Sequence, residues 1–302
     1  MTKVKAWLNA ARLRTLPLSI SGIFVGTALA AYYGATNVII FILALCTTIG
    51  LQVTSNFAND YGDGVKGTDG DDRIGPKRAL QSGLLTAAEL KRGIYISIVI
   101  NAVLIISLII TSFGIKDVLY PVLFLVLGAL AIWAAIKYTV GKSAYGYQGL
   151  GDVFVFIFFG LVSVLGSMFL YLKFIDLFAV LPAIAIGLLS VGVLNLNNMR
   201  DIKSDTAVGK NTLAVKMGLS MAKKYHYTIL VVSFLCLFYF LFTTNASQLR
   251  YVSLVGYLPI LVHLKKVALT DKAAELDPEL KKLALSTFFI AVLFFISYYY
   301  FL

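Results

Sequence analysis

Residues 56–78 read NFANDYGDGVKGTDGDDRIGPKR and follow an apolar run that extends from Val38 to Val53. Five aspartates crowd this stretch, at Asp60, Asp63, Asp69, Asp71 and Asp72. Asn56 and Asp60 are four residues apart, and Asp60 and Asp63 three, so a helix carried through them puts all three on one face. A second cluster, NLNNMRDIKSDTAVGKNTLAV, begins at Asn195 and again closes an apolar run. In it Asn197, Asp201 and Asp205 fall at i, i+4 and i+8. Asn56 to Asn197 and Asp60 to Asp201 both span 141 residues, which points to a duplicated unit.

Facing carboxylates repel by about 3 kcal/mol per pair at ~5 Å and an effective dielectric of ~20. Something cationic is therefore expected between the clusters. The nearby bases Lys66, Arg73, Lys77, Arg78, Arg200, Lys203 and Lys210 would serve as plain charge balance. Asn and Asp oxygens beside lysines and arginines also suit Mg²⁺ bridging to a phosphate, because acids alone repel a diphosphate and bases alone do not activate it. The second reading uses more of the pattern.

Only 14% of the 302 residues are charged, 59% are hydrophobic, and the mean hydropathy is +0.86. Soluble domains carry about 25% charged residues, so the chain is a membrane protein. Apolar runs long enough to cross a bilayer lie at about 16–33, 38–58, 93–113, 118–136, 150–171, 176–199, 225–243, 249–269 and 283–302. The fold expected is all-α and integral to the membrane. It comprises nine transmembrane helices, arranged as two pseudo-repeated four-helix units plus a ninth helix.

The net charge of +11 would suggest nucleic acid in a soluble chain, but here it reports cytoplasmic loops. With the amino terminus inside, the inner segments hold 23 of the 26 lysines and arginines, leaving Lys116, Lys173 and Arg250 outside. That split predicts a multi-pass protein of the cell (inner or plasma) membrane with a cytoplasmic amino terminus and an external carboxy terminus. Both acidic clusters then face the cytoplasm at the membrane surface. The partner is the lipid bilayer, with no nucleic acid.

The weaker signals read as follows. Lys3 to Arg14 is a basic amphipathic segment suited to an anionic leaflet, and Arg14 is close enough to the first span to reach a site. The segment YTVGKSAYGYQGLG at 138–151 reads as a flexible inner loop whose tyrosines would line a cavity mouth for an aromatic substrate. His226, at a helix start, and His263, within an apolar helix, have no ligand-spaced partner, and Cys46 and Cys236 lie inside apolar runs. Tyr298, Tyr299 and Tyr300 read as an interfacial aromatic belt.

Paired clusters that each end an even-numbered helix resemble those of the UbiA-type intramembrane aromatic prenyltransferases. The likeness covers nearly all of the chain, as one membrane domain over 1–302. It is carried by RLRTLP at 12–17, NFANDYGDGVKGTD at 56–69, DRIGPKR at 72–78, YGYQGLGDVFVFIFFG at 145–160 and NNMRDIKSDTAVGKNTLAV at 197–215. The spacing of the first motif, with Gly64 in its ninth position and Asp63 as the nearest acid, is similar to the branch that prenylates 1,4-dihydroxy-2-naphthoate.

The resemblance implies that Asn56, Asp60, Asp63, Asn197, Asp201 and Asp205 hold Mg²⁺ on a polyprenyl diphosphate. It makes Lys66, Arg73, Arg78, Arg200, Lys203 and Lys210 binders of the remaining phosphate charge. The naphthoate ring would attack the allylic carbon, losing carbon dioxide and diphosphate to give demethylmenaquinone. Tyr138 and Tyr145 would face the cation or acceptor, and Arg14 or Lys137 would meet the acceptor's carboxylate, with Tyr138 or Phe154 as a flat wall. The alternatives are a family member acting on 4-hydroxybenzoate or homogentisate, and a membrane transporter. A transporter keeps its ionisable groups near the midplane, whereas these acids lie at or beyond expected helix ends.

Overall fold

The computed structural model describes residues 2–67, 78–114 and 118–299, and within them nine helical segments are long and apolar enough to cross a membrane. The basic helix α1 (Lys3–Ala11) leads into α2 (Leu16–Tyr32), followed by α3 (Val38–Lys66), α4 (Ala87–Phe113) and α5 (Leu119–Lys137). The fifth span runs over Gly151–Leu172 and contains a π-helical stretch, Phe156–Gly166, between α6 (Gly151–Val155) and α7 (Ser167–Leu172). Then come α8 (Val180–Arg200), the short α9 (Ile202–Ala207), α10 (Leu213–Thr243), α11 (Leu258–Leu269) and α12 (Asp277–Tyr299).

Local chemistry sets the ends. The Asn37 side chain accepts from the amides of Ile39 and Ile40 to start α3, and Thr86 with Glu89 forms a capping box on α4. Thr212 caps α10, whose first turns bend at Gly218 (φ 74°). Arg12, with φ 49°, stops α1 and is the single residue between it and the 3-10 turn Leu13–Thr15.

Four bounds differ from the sequence expectation. Helix α3 does not stop near residue 58 but continues to Lys66, because the turn after α5 covers its polar end. A Cβ at Gly62 would sit 2.9 Å from the Thr139 carbonyl group, and the Thr139 hydroxyl donates to the Ala58 carbonyl at 3.0 Å. Helices α4, α10 and α12 also begin earlier than their apolar runs, since their first turns are amphipathic and pack on the loops. The stretch Gln248–Tyr257 is a 3-10 helix ahead of α11.

The larger core joins α2, the π-helical stretch, α8, α10 and α12 around Leu29, Val164, Leu189, Leu230 and Phe294. A smaller one packs α1 on α3 and α4 through Ala6, Ala10, Phe57 and Leu90. Small residues let backbones touch, as membrane helices require: a Cβ on Gly26 would lie 2.3 Å from the Val164 carbonyl oxygen. The outward faces stay apolar, with Leu119 at 73% and Val99 at 63% exposed. Only lipid makes that arrangement stable. Tyr298 is no part of an aromatic belt: it is fully buried, and the Arg250 guanidinium lies 4.5 Å from its ring and 4.9 Å from that of Tyr32.

Candidate active site

Both clusters meet at one end of the bundle, and their acids are buried: Asp60, Asp63, Asp201 and Asp205 are 1%, 4%, 7% and 6% exposed. Asp60 and Asp63 project from the last turns of α3, while Asp201 sits at the junction of α8 and α9, and Asp205 lies on α9.

The four carboxylates are not equivalent. Asp63 is ion-paired with Arg78 through Oδ2 and accepts the Tyr147 hydroxyl on Oδ1 at 2.6 Å. Asp201 is gripped by both arms of Arg200, with Nε at 2.7 Å from Oδ1 and Nη2 at 2.6 Å from Oδ2. By contrast Asp60 accepts only the Ala79 amide on Oδ2 (3.1 Å), and its buried Oδ1 has no hydrogen-bond partner among the described residues. Asp205 places Oδ1 3.3 Å from Lys210 Nζ and likewise leaves a buried Oδ2 without a partner among those residues. Burial raises the Asp205 carboxyl to about 6, Lys210 opposing the rise and Asp201 and Asp63 adding to it. A buried carboxylate oxygen without a partner costs on the order of several kcal/mol unless a cation meets it.

Among the described residues no three acidic or histidine side chains converge into a metal cage. The oxygens of Asp60 and Asp205 that lack a partner among the described residues are hard donors of the kind Mg²⁺ takes.

The bases divide as well. Four donor contacts of Arg200 are spent inside the protein, two on Asp201 and one each on Asp277 (2.5 Å) and Asn197 (2.9 Å). Lys66 donates to the Thr139 carbonyl at 2.7 Å and lies 3.8 Å over the Tyr147 ring, whereas Lys210 lies 5.6 Å from the same ring. Lys203 and Arg14 are exposed. Arg73 lies outside the described residues, as do Asp69, Asp71, Asp72 and Lys77.

Asn56 turns its amide to the first helix, donating to the Ala11 carbonyl at 2.8 Å and the Thr15 hydroxyl at 3.3 Å, while Gln52 binds its oxygen. Asn59 is the asparagine the sequence reading passed over. Its carbonyl accepts Arg78 and its side chain accepts Thr139. An offset of 138 residues pairs Asn59 with Asn197 and Asp63 with Asp201. Each aspartate of that pair is held by an arginine, Asp63 by Arg78 and Asp201 by its chain neighbour Arg200. Tyr147 and Asn198, whose buried Oδ1 also has no partner among the described residues, were missed too.

Tyr145 is stacked on Phe154 at 3.9 Å, donates to the Ala134 carbonyl at 2.8 Å and meets the Tyr138 ring edge-on at 5.4 Å. Burial raises both phenols. They make a rigid aromatic block against which Tyr138, half-buried, presents its remaining surface. His226 does not begin a helix but lies within α10, and it has a partner: its Nε2 is 2.9 Å from that of His263, whose Nδ1 is 2.7 Å from Glu279. Sequence spacing conceals this pair, since the residues are 37 apart.

An all-α membrane bundle with two acidic clusters and lysines at one end defines the class. The UbiA prenyltransferase family matches residues 19–293, and the chain belongs to it. It is 42% identical to the 1,4-dihydroxy-2-naphthoate octaprenyltransferase of Haemophilus influenzae over 97% of this chain and 95% of that one. With the protein of the same name from Escherichia coli it shares 46% identity over 78% of this chain and 76% of that one. A UbiA homologue from Aeropyrum pernix has the same fold, with TM-score 0.69 and 16% identity over 91% of this chain and 97% of its own. Another, from Archaeoglobus fulgidus and bound to GPP and Mg²⁺, superposes with TM-score 0.63 at 12% identity over 96% and 99%.

Proposed function

We infer that the chain transfers a polyprenyl group from polyprenyl diphosphate to 1,4-dihydroxy-2-naphthoate, a step of menaquinone synthesis. The observation that carries the reading is the pair of buried carboxylate oxygens, on Asp60 and Asp205, that have no partner among the described residues, in a site lined with Lys66 and Lys210. Near-full-length likeness to naphthoate octaprenyltransferases supports the acceptor.

Asp60 and Asp205 would hold Mg²⁺, and Lys66, Lys210 and Lys203 would take the remaining phosphate charge. When bound, the metal neutralises the leaving diphosphate. Asp63 keeps Arg78 aimed at the same anion, and Arg200 keeps Asp201 and Asn197 in register. The bond between the allylic carbon and its oxygen breaks, with the electron pair leaving on diphosphate. The ring carbon bearing the carboxylate forms the new bond, and carbon dioxide departs, returning its electron pair to the ring. No oxidant enters, so the immediate product is the hydroquinone form of demethylmenaquinone. The apolar bundle shields the allylic cation from water, and Tyr138 offers it a ring face. Arg14 is the cation proposed for the acceptor's carboxylate.

Purified protein given one polyprenyl diphosphate and a mixture of acceptors is expected to yield only the decarboxylated naphthoate product by mass. Prenylated 4-hydroxybenzoate in its place would overturn the acceptor and leave prenyl transfer standing.

We also place the clusters on the cytoplasmic side, from the distribution of bases. A cysteine at the exposed turn residue Gly209 should stay unlabelled by an impermeant thiol reagent in intact cells. Labelling from outside would invert the topology. The companion position, Gly70, lies outside the described residues.

A further inference from the structure

We propose that Tyr147 is a positioning residue that joins the two clusters into one diphosphate-binding surface. Three contacts converge on it. Its hydroxyl donates to Asp63 Oδ1 at 2.6 Å, opposite the oxygen that pairs with Arg78. Its ring holds Lys66 Nζ at 3.8 Å and Lys210 Nζ at 5.6 Å from the centroid. Its carbonyl accepts the Asn211 amide at 3.1 Å, and next to it Lys216 Nζ donates to the Gln148 carbonyl at 2.6 Å. The short helical turn Tyr145–Tyr147 is thus sewn to the segment after α9 by the backbone and to α3 by the side chain.

The chemistry follows from charge. Lys66 belongs to the first cluster and Lys210 to the second, and two ammonium groups drawn to one site repel each other. The π-face of a half-buried tyrosine offsets part of that repulsion, and Asp63 supplies a negative charge beside it. An anion with several oxygens, arriving between the lysines, replaces a weak ring contact with ionic ones. The hydroxyl meanwhile fixes the carboxylate that orients Arg78. Tyr147 acts through Asp63 and the two lysines, so its contribution is to the affinity for diphosphate.

This rests on the transferase reading, and the test separates the two. The probe is inorganic diphosphate, titrated calorimetrically into detergent-solubilised full-length protein with and without Mg²⁺. Tyr147→Leu loses ring and hydroxyl, and is expected to bind about a hundredfold more weakly with Mg²⁺. Tyr147→Phe keeps the lysines in place but releases Asp63 and the Arg78 it orients, and should lose about tenfold both with and without Mg²⁺. In turnover, both should raise the KM of the prenyl diphosphate and leave that of the acceptor within about twofold. Unchanged diphosphate binding in the leucine variant, or equal rises in both KM values, overturns the proposal. If the leucine variant does not fold, the phenylalanine variant's loss of diphosphate binding decides alone. Wild-type protein that binds diphosphate but makes no product would sink the transferase reading and leave this one. Wild-type protein that does not bind diphosphate sinks this one.

Discussion

Asp60→Asn and Asp205→Asn are each expected to lower turnover by at least about 10²-fold while the protein stays folded in detergent. The argument is one of charge without volume. Asparagine is close to the same size, and its oxygen retains the contact of Asp60 with the Ala79 amide. What it removes is the anionic character of an oxygen that has no partner among the described residues, Oδ1 in one case and Oδ2 in the other. For Asp60, which has no ion-pair partner among the described residues, that loss should leave thermal stability unchanged or slightly higher, whereas Asp205→Asn also gives up the ion pair with Lys210 and should lower it. For Asp60→Asn, activity is thereby predicted to fall with no loss of stability. Near-wild-type turnover in both variants would mean that the acids only balance nearby lysines.

Arg200→Ala carries the largest expected cost in stability, about 3–5 kcal/mol, because it strands Asp201 and Asn197 in the interior. Arg200 is 3% exposed and makes a two-pronged contact with Asp201 as well as bonds to Asp277 and Asn197. A planar guanidinium makes these contacts at once, and a lysine ammonium does not. Arg200→Lys should therefore recover only a small part of the loss, read as the unfolding midpoint in detergent. Full stability with weakened diphosphate binding would return Arg200 to the role of phosphate ligand.

The two roles of arginine mark where sequence reading stopped. The spans were legible because runs such as 38–58 and 176–199 are apolar beyond what a soluble core needs. The end of α3 was not, because Asp60, Gly62, Asp63 and Gly64 look like a loop by composition. They remain helical because Thr139 and its turn pack on them. The acids were legible as two clusters, but not which of them were already neutralised. Arg78 reaches back 15 residues to Asp63, and Arg200 turns on its own neighbour. Nothing in the spacing distinguishes those from Lys66 and Lys210. Tyr147 was hidden for a related reason: it stood among three tyrosines in a glycine-rich segment, and its partners are 84 residues away at Asp63 and on the far cluster at Lys210.

We infer that the carboxylates of Asp60 and Asp205 and the lysines at this end of the bundle share a metal and a diphosphate during prenyl transfer. It is tested most directly by stripping the purified protein with chelator, adding polyprenyl diphosphate and 1,4-dihydroxy-2-naphthoate, and titrating Mg²⁺ while product is followed by mass. The account predicts no product without metal and a rise to full activity as Mg²⁺ is restored. Full activity in the stripped enzyme, or no prenylated naphthoate at any Mg²⁺ concentration, would contradict it.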